Sequence, residues 1–434
     1  MLPKEWKQVP LHTVAEVRTG LSKNAQRAGA TLKRPYLRVA NVQDGALDLS
    51  DVHEIEVPAS QTSRYTLQAG DLLLIEGNGN PENLGRGCLW HGQIPDAVHQ
   101  NHVFAVRTHK NGPLLPAFLE LQIQSKYGRN YFLSCAKGST GLSSLNSTQL
   151  KSFPVILPPF EEQLRIARVI QTWSGAIAAA EKLLANSYKQ KQAVIGCFLM
   201  PVPLSNAKRT VGAAFPSSVQ PGIPQLPPAP KGWFKTTLGT HLKEVIRPVS
   251  LDPTQNYRLV TVRRSRGGVD ERCKLPGAEI KTPTQFYVHE GDFLISKRQI
   301  VHGACGIVPP ELDGAIVSNE YAVLNTYGDL DPRFLRYLSE TTYFQQTCFH
   351  SSIGVHIEKM LFRLDKWLKW PINLPPLGEQ LRIVAILDAA SQEETTIQKQ
   401  LDLLREEKRA LMADLLTGKR RVRMPDTTAE PEAA

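Results

Sequence analysis

Several features that identify particular classes of protein are missing from this chain of 434 residues. Its six cysteines form no C-x-x-C pair, which argues against a zinc knuckle or a disulfide framework and favours the reducing cytoplasm. No run of about 18 uncharged apolar residues occurs, so we expect no membrane span. Residues 1–16 carry charges and do not resemble a signal peptide. The spacing of His99 and His102 does not suggest a metal site.

Catalytic motifs are missing as well. A G-x-G follows a predicted strand at residues 77–79, but Glu82 occupies the place of the third glycine of a nucleotide loop. The segment 157–160 resembles the proline-rich loop of adenine methyltransferases. Leu157 stands at its first position, and a leucine cannot accept a hydrogen bond from the target amine. We therefore expect no catalytic residue, no metal and no cofactor in this chain.

Positive charge is in excess. The formal net charge is +10 and the isoelectric point is near 9.2, which favours a polyanionic partner, nucleic acid before an anionic membrane. The alternative is a basic surface that only keeps the protein in solution.

A long internal repeat is the strongest positive signal. Leu-Pro-Pro-Phe-Glu-Glu-Gln-Leu-Arg-Ile at 157–166 returns at 374–383 with eight of ten positions identical and an offset of 217 residues. Upstream, Tyr36-Leu-Arg-Val is matched by Tyr257-Arg-Leu-Val, and Gly70-Asp-Leu by Gly291-Asp-Phe. Such a long period indicates tandem duplication of a large unit.

Each copy begins as a mixed globule. Short apolar segments at 72–75 and 103–106 predict strands, and segments 115–127 and 332–346 predict helices that open at a proline. The predicted fold class is α+β, with two mixed α/β globules.

After each Pro-Pro the pattern becomes helical, with apolar residues spaced alternately by three and four. The register is the same in both copies, including one lysine in each, and favours two long coiled-coil helices over ordinary core helices. The positions of this seam include Ile170, Ile177, Leu184, Lys191, Val194, Phe198, Leu387, Ile397, Leu401, Leu404, Lys408, Leu411 and Leu415.

These patterns divide the chain into six segments. Residues 201–231 contain eight prolines and predict an extended linker, and the end of the chain predicts a disordered tail. The predicted segments are a first globule at 1–156, a first long helix at 157–200, the linker at 201–231, a second globule at 232–373, a second long helix at 374–418 and the tail at 419–434.

Polar loops at matching places in the two copies are the candidates for binding DNA. Arg and Lys read guanine or grip phosphate, Asn and Gln read adenine, and Ser and Thr serve either purpose. For any single residue the alternative is a solvated surface loop. The candidates are Asn78, Asn80, Arg86, Lys137, Ser139, Thr140, Arg263, Arg264, Arg266, Lys297, Arg298, Gln299, His302, Ser351 and Ser352.

With the L-P-P-x-x-E-Q repeat, the twin heptad helices and the G-D-x-L strand together, the chain resembles the specificity subunit (HsdS) of type I restriction–modification systems from Trp6 to about Gly418. The linker looks long for that family. The resemblance implies that the two globules are target recognition domains and that the two long helices are spacers. The spacers would pack antiparallel and bind two methyltransferase (HsdM) subunits. It also implies a translocase (HsdR) partner, with S-adenosylmethionine, ATP and Mg on the partner subunits.

The residues alone lead to the same mechanism. Each spacer of about 39 residues would span about 58 Å and hold the two globules apart, so they would read two half-sites of one bipartite DNA site. Because the polar loops differ between the two halves, that site would be asymmetric. Two alternatives remain open: a protein–protein scaffold with two binding domains on a coiled coil, and a self-contained nuclease or methyltransferase.

Overall fold

The computed structural model divides into two compact units. The first comprises residues 1–181 and 399–434, and the second comprises residues 182–398. Each unit therefore holds one globule, the first half of one long helix and the last half of the other, so the division runs through both predicted spacers. The residues described are 2–22, 31–77, 83–136, 144–199 and 218–422.

The described residues of the first unit's globule form three sheets. A two-stranded antiparallel sheet pairs β1 with β9, a four-stranded sheet has the order β2-β8-β5-β6, and a three-stranded sheet has the order β4-β3-β7 with β3 and β7 parallel. Its strands are β1 (Lys7–Pro10), β2 (Ala15–Thr19), β3 (Thr31–Leu37), β4 (His53–Pro58), β5 (Leu72–Ile75), β6 (Gly87–Leu89), β7 (Val98–His99), β8 (Val103–Thr108) and β9 (Pro154–Leu157). The strands predicted at 72–75 and 103–106 are confirmed.

The helices of the first unit lie mostly after the sheets in the chain. Strand β5 is buried along its whole length, and its neighbours in the core come from strand β8 and from helices α2 and α3. These helices are α1 (Thr62–Tyr65), α2 (Pro116–Gln124), α3 (Lys126–Ala136), α4 (Ser147–Lys151) and α5 (Phe160–Leu199), the last of which continues into the second unit.

The second unit repeats this topology with additions. Its sheets are β10-β21, β11-β18-β15-β16, β13-β12-β17-β14 and the hairpin β19-β20. Its strands are β10 (Phe234–Thr237), β11 (Leu242–Glu244), β12 (Asn256–Val262), β13 (Val269–Pro276), β14 (Gln285–Val288), β15 (Phe293–Ser296), β16 (Cys305–Ile307), β17 (Ala315–Ser318), β18 (Tyr321–Thr326), β19 (Ser352–Ile353), β20 (Leu361–Phe362) and β21 (Pro371–Leu374). Its helices are α6 (Leu238–His241), α7 (Pro332–Ser339), α8 (Thr342–His350), α9 (Leu364–Trp367) and α10 (Leu377–Leu416).

The sheet orders confirm the duplication. The pair β1-β9 corresponds to β10-β21, and β2-β8-β5-β6 corresponds to β11-β18-β15-β16. The sheet β4-β3-β7 corresponds to β13-β12-β17, including the parallel pair at its end. The sequence was therefore duplicated as a whole globule with its helix.

The repeated Glu-Gln of the decapeptide has a structural role in both units. The side chain of Gln163 is fully buried, accepts a hydrogen bond from the Leu115 amide (2.9 Å) and donates to the Pro113 and Pro158 carbonyls (2.7 and 2.9 Å). Gln380 makes the equivalent bonds to Asp331, Asp329 and Pro375. Each glutamine thus ties the start of a long helix to the loop before α2 or α7.

The ends of the long helices pack antiparallel within each unit. In the first unit, Ile166 and Ile170 near the start of α5 share a core with Leu415 near the end of α10. In the second unit, Leu387 near the start of α10 shares a core with Ile195 and Leu199 near the end of α5.

The predicted seam is buried or half-buried along both helices, with one exception. Phe198 is 38% exposed, and Ile195 and Leu199 are buried instead. An α-helix with 3.6 residues per turn drifts away from a strict seven-residue repeat, so the buried stripe moves by one position toward the end of α5. The seam residues not yet placed, Ile177, Leu184, Lys191, Val194, Ile397, Leu401, Leu404, Lys408 and Leu411, are buried or half-buried.

Two predicted helices are wrong in their extent. The helix expected at 115–127 breaks at Ser125 between α2 and α3, and the one expected at 332–346 breaks at Thr341 between α7 and α8. Thr341 caps α8 by accepting a hydrogen bond from the Phe344 amide, which the spacing of apolar residues does not reveal.

Of the predicted linker, residues 218–231 are described and contain no helix or strand; the rest of the linker and the tail beyond residue 422 lie outside the described residues. Among the helices described, none is both long and apolar enough to cross a membrane.

Candidate nucleic-acid interface

Three polar loops of the second unit lie side by side. They are the turn 263–268 between β12 and β13, the loop 296–303 after β15, and residues 351–362 around the hairpin β19-β20; we call them the reading cluster. The Ser265 amide donates to the His302 carbonyl (2.7 Å), and the Phe362 amide donates to the Lys297 carbonyl (2.8 Å). Backbone hydrogen bonds therefore join segments that the sequence singled out separately.

The exposed arginines of the reading cluster each have a carboxylate partner. Arg264 lies 2.8 Å from Glu358, and Arg298 lies 2.6 Å from Glu320. Arg263 pairs with Asp270 in the same way. All these side chains are at least 40% exposed, and exposed ion pairs contribute little to stability. A phosphate or a base edge can therefore replace the carboxylates at small cost.

Other candidates of the reading cluster are half-buried. Lys297 donates from its Nζ to the Asn319 carbonyl (3.1 Å). Arg266 adopts a left-handed backbone (φ 60°), and its amide donates to the Gly303 carbonyl (2.8 Å). Residues 263–266 thus lie in the turn between the antiparallel strands β12 and β13, and Gln299 lies half-buried in the loop 296–303. Because these residues are half-buried, only part of each is accessible to a ligand.

Three candidates point inward, which the sequence did not anticipate. His302 is 1% exposed, and its Nε2 lies 3.0 Å from a Glu358 carboxylate oxygen. Burial, together with the charge of Arg264, lowers the pKa of His302, so its imidazole is neutral near pH 7. The Ser351 side chain is buried and accepts a hydrogen bond from Trp370 Nε1 (2.9 Å).

The Ser352 hydroxyl donates to the Cys348 carbonyl (2.8 Å) and is half-buried. The positions of His302, Ser351 and Ser352 indicate that these side chains stabilise the loops rather than contact DNA. Polar residues in a loop read as surface residues in the sequence, and only the fold shows that these are satisfied internally.

The first unit places equivalent segments together. The Leu145 amide donates to the Glu76 carbonyl (2.8 Å), as the Phe362 amide does to Lys297, and Glu76 also pairs with His102 (2.6 Å). Glu76 stands where the second unit has Lys297. Asn78, Asn80, Lys137, Ser139 and Thr140 lie outside the described residues.

Arg86, the remaining candidate of the first unit, is half-buried and supports the globule. Its Nη2 donates weakly to the Val39 carbonyl (3.4 Å), and its backbone carbonyl accepts from the Ile75 amide. The loop arginine is thus held against β5, and only part of its guanidinium is free to contact a ligand.

The sequence missed the acidic members of the reading cluster. Glu358 bridges Arg264 and His302, and Glu320 pairs with Arg298. A carboxylate repels the phosphates of DNA and so does not stand out as a DNA-binding side chain, and each of these residues lies more than 20 residues from its partner. Within the described ranges, no group of three or more His, Cys, Asp or Glu side chains is arranged to hold a metal ion.

Comparisons with known proteins point to one family. The family model described as type I restriction modification DNA specificity domain matches residues 3–186 and 255–404. The EcoKI specificity subunit of Escherichia coli (strain K12) is 30% identical over 200 residues, which span 43% of this chain and 42% of that protein. The putative MjaX specificity subunit of Methanocaldococcus jannaschii is 25% identical over 97% of this chain and 95% of its own.

Solved structures share the fold. A chain from a study of complex assembly and conformational transition of the type I R-M system has a TM-score of 0.56 and 18% identity, over 97% of this chain and all of that one. The type I restriction–modification S subunit from M. genitalium has a TM-score of 0.53 and 10% identity, with 97% of both chains covered.

Proposed function

This chain belongs to the family of type I restriction modification DNA specificity domains, and from that premise we propose that it reads a bipartite, asymmetric DNA site through its two globules. Sequence specificity is the role of this family. The proposal concerns how the chain carries it out: one half-site for each unit, with the reading cluster contacting the second half-site.

One observation supports an asymmetric site above all. The two units place equivalent loops together with equivalent backbone hydrogen bonds, yet Glu76 and His102 stand where Lys297 and Glu320 stand. The same scaffold thus presents different charges at the same place. Since Lys reads guanine and Glu accepts from cytosine, such a difference would select different bases.

We further propose that the chain itself is non-catalytic and acts in the cytoplasm with partner subunits. Two methyltransferase subunits (HsdM) would methylate adenine at N6 with S-adenosylmethionine. A translocase subunit (HsdR) would cut DNA with ATP and Mg. The long helices would act as a coiled-coil spacer between the globules and as the surface that binds the methyltransferase subunits. A chain with no catalytic motif in its sequence needs such partners to act on DNA.

The test is methylation mapping in a host that carries the operon. A bipartite, asymmetric adenine motif should appear and should vanish when this chain is deleted. A motif that persists after the deletion would refute the proposal. Binding of purified chain to DNA should also weaken steeply with salt, whereas a protein–protein scaffold would show no such DNA binding.

The residues of the reading cluster need a separate measurement. Alanine variants of Lys297 and Arg298 should lose about 1–3 kcal/mol of affinity for one half-site only, if they contact bases. Arg333 is a matched control, because it is 52% exposed and paired with Asp331, as Arg298 is 56% exposed and paired with Glu320. Equal loss on every sequence, with a shallower salt dependence, would assign Lys297 and Arg298 to phosphate contacts.

A further inference from the structure

The hairpin β19-β20 of the reading cluster ends in an apolar tip. Val355 is 96% exposed, more than any other large hydrophobic side chain in the described part of the chain, and Ile353 beside it is 50% exposed. Removing apolar side chains from water is favourable, so a partner that covers this valine lowers the free energy of the system. Among the residues that the structure describes, none covers this side chain.

The hairpin is fixed at its base, so the exposure of Val355 belongs to a defined structure. Ser352 pairs with Phe362 and Ile353 with Leu361, and Phe362 is buried. Gly354 has φ 152°, and a Cβ there would lie 3.0 Å from the Met360 Cα. Glycine is therefore required where the chain turns toward the tip.

Charged groups surround the base of this tip. Glu358, three residues beyond Val355, is bound to Arg264, and the Phe362 amide is bound to the Lys297 carbonyl, next to Arg298. Among these neighbours the arginines are exposed. A membrane or an apolar protein surface would take these exposed ion pairs out of water at a desolvation cost and would offer the arginines no anion in exchange. A polyanion with apolar groups on its exposed bases satisfies both the charges and the valine.

We propose that Val355 contacts the 5-methyl group of a thymine in the half-site read by the second unit. This rests on the proposed function. The major groove of DNA admits a two-stranded ribbon and displays the thymine methyl group, the one apolar group that distinguishes its base pair there. Arg264 and Arg298 contact the phosphates or base edges beside that thymine.

The test uses the complete complex with its methyltransferase subunits and the duplex found by methylation mapping. Each thymine of the second half-site is replaced in turn by deoxyuridine, which lacks only the methyl group, and binding is measured by fluorescence anisotropy. At one position the wild-type complex should bind about fourfold more weakly, the equivalent of about 0.8 kcal/mol for one buried methyl group. The V355A complex should bind the thymine duplex about fourfold or more weakly, and deoxyuridine at that position should cause no further loss.

Two variants separate this contact from general effects. V355T keeps the shape of the side chain and one methyl group, so its sensitivity to deoxyuridine should be intermediate. I246A removes another exposed aliphatic side chain of the same unit, 67% exposed, and should leave binding unchanged.

Three results would overturn the proposal. They are a V355A complex that binds like wild type, an equal loss on cognate and unrelated DNA, and a loss on cognate DNA while every deoxyuridine substitution is silent. The absence of any bipartite motif would instead refute the proposed function. A complex that binds its motif specifically but shows no coupling between Val355 and a thymine refutes this inference alone.

Discussion

Arg421 and Glu162 form a two-pronged ion pair in the first unit, with Nε to Oε1 at 2.5 Å and Nη2 to Oε2 at 2.9 Å. Glu162 is buried and also accepts a hydrogen bond from Trp6 Nε1 (3.1 Å). The guanidinium lies 5.9 Å from the Trp6 ring centroid, and its Nη2 reaches Glu5 at 3.0 Å. These contacts link the segment after α10 to the segment before β1.

Loss of this pair should destabilise the first unit. Without Arg421, the buried Glu162 carboxylate keeps, among the described residues, only the Trp6 hydrogen bond, so R421M should lower the free energy of unfolding by about 1–3 kcal/mol. Urea denaturation measures this change. R420A is the control, because Arg420 lies 3.8 Å from Asp414 on the surface and its loss should cost less than about 1 kcal/mol. Equal effects of R421M and R420A would show that the Arg421–Glu162 pair contributes no more than an exposed one.

Substitution of the two seam lysines should change the free energy of unfolding by very different amounts. Lys191 is buried between Glu394 (3.2 Å) and Glu340 (3.7 Å), so K191M should cost about 3–5 kcal/mol by leaving two carboxylates unpaired. Lys408 is half-buried and has no ion pair among the described residues, and burial lowers its pKa. Its charge is therefore unfavourable in the folded state.

K408M should accordingly change the free energy of unfolding by less than about 1 kcal/mol or raise it. Both substitutions replace lysine by the same unbranched apolar side chain, one atom shorter, so urea denaturation of the two variants compares the same chemical change in two surroundings. If K408M proves as costly as K191M, then Glu120 and Asp44, whose charges favour protonated Lys408, stabilise it at long range as well as a direct pair would.

The heptad pattern of the sequence predicted the seam lysines but not their different surroundings. The two lysines 217 residues apart are visible in the sequence, whereas Glu340 comes from the loop between α7 and α8, and the residue before the corresponding break at Ser125 is the uncharged Gln124. In the same way, the repeat marked Gln163 as important without showing that it binds the loop before α2, about 48 residues away. Periodicity predicts local structure, and these contacts are non-local.

In the reading cluster, too, the sequence predicts local structure but not the contacts between distant segments. The sequence indicated that the candidates at 263–266 and 297–302 lie in loops, and in the structure these segments follow the ends of β12 and β15. It could not show that His302 faces inward, or that Glu358 lies against Arg264 from a position 94 residues away. Burial of a polar loop residue depends on which segment folds over it.

Acid should destabilise the first unit through His99. This side chain is 1% exposed, and its Nδ1 lies 2.7 Å from the Val103 carbonyl. Burial lowers the pKa of His99, so the folded state binds a proton less readily than the unfolded chain, whose histidine has a pKa of about 6.5. Stability is therefore complete above about pH 6.5 and is lost as the pH falls below it, by at most about 1.4 kcal/mol per pH unit for one histidine.

Urea denaturation between pH 8 and pH 5 measures this loss. H99Q should be less stable than wild type at pH 8 but should depend less on pH. H53Q, at a histidine whose side chain is 47% exposed, should keep the wild-type slope. An unchanged slope in H99Q would show that His99 is not the group that titrates.

Glu358 should restrain the affinity of the second unit for DNA of any sequence. Its carboxylate forms an exposed ion pair with Arg264 at 2.8 Å, so the positive charge of the guanidinium is partly neutralised in the absence of DNA. In E358Q the amide oxygen can still face His302 while the negative charge is lost. Binding of the complex to unrelated DNA should therefore tighten, with the slope of log K against log salt steeper by about 0.9, the value for one more phosphate contact.

Cognate binding should gain less than unrelated binding, so the ratio of the two affinities should fall. Fluorescence anisotropy with cognate and scrambled duplexes at two salt concentrations measures both quantities. E320Q, which removes the partner of Arg298, is the matched variant and should act in the same direction. If E358Q instead weakens cognate binding and leaves unrelated binding unchanged, then Glu358 itself accepts a hydrogen bond from a base, as a carboxylate does from the amino group of cytosine.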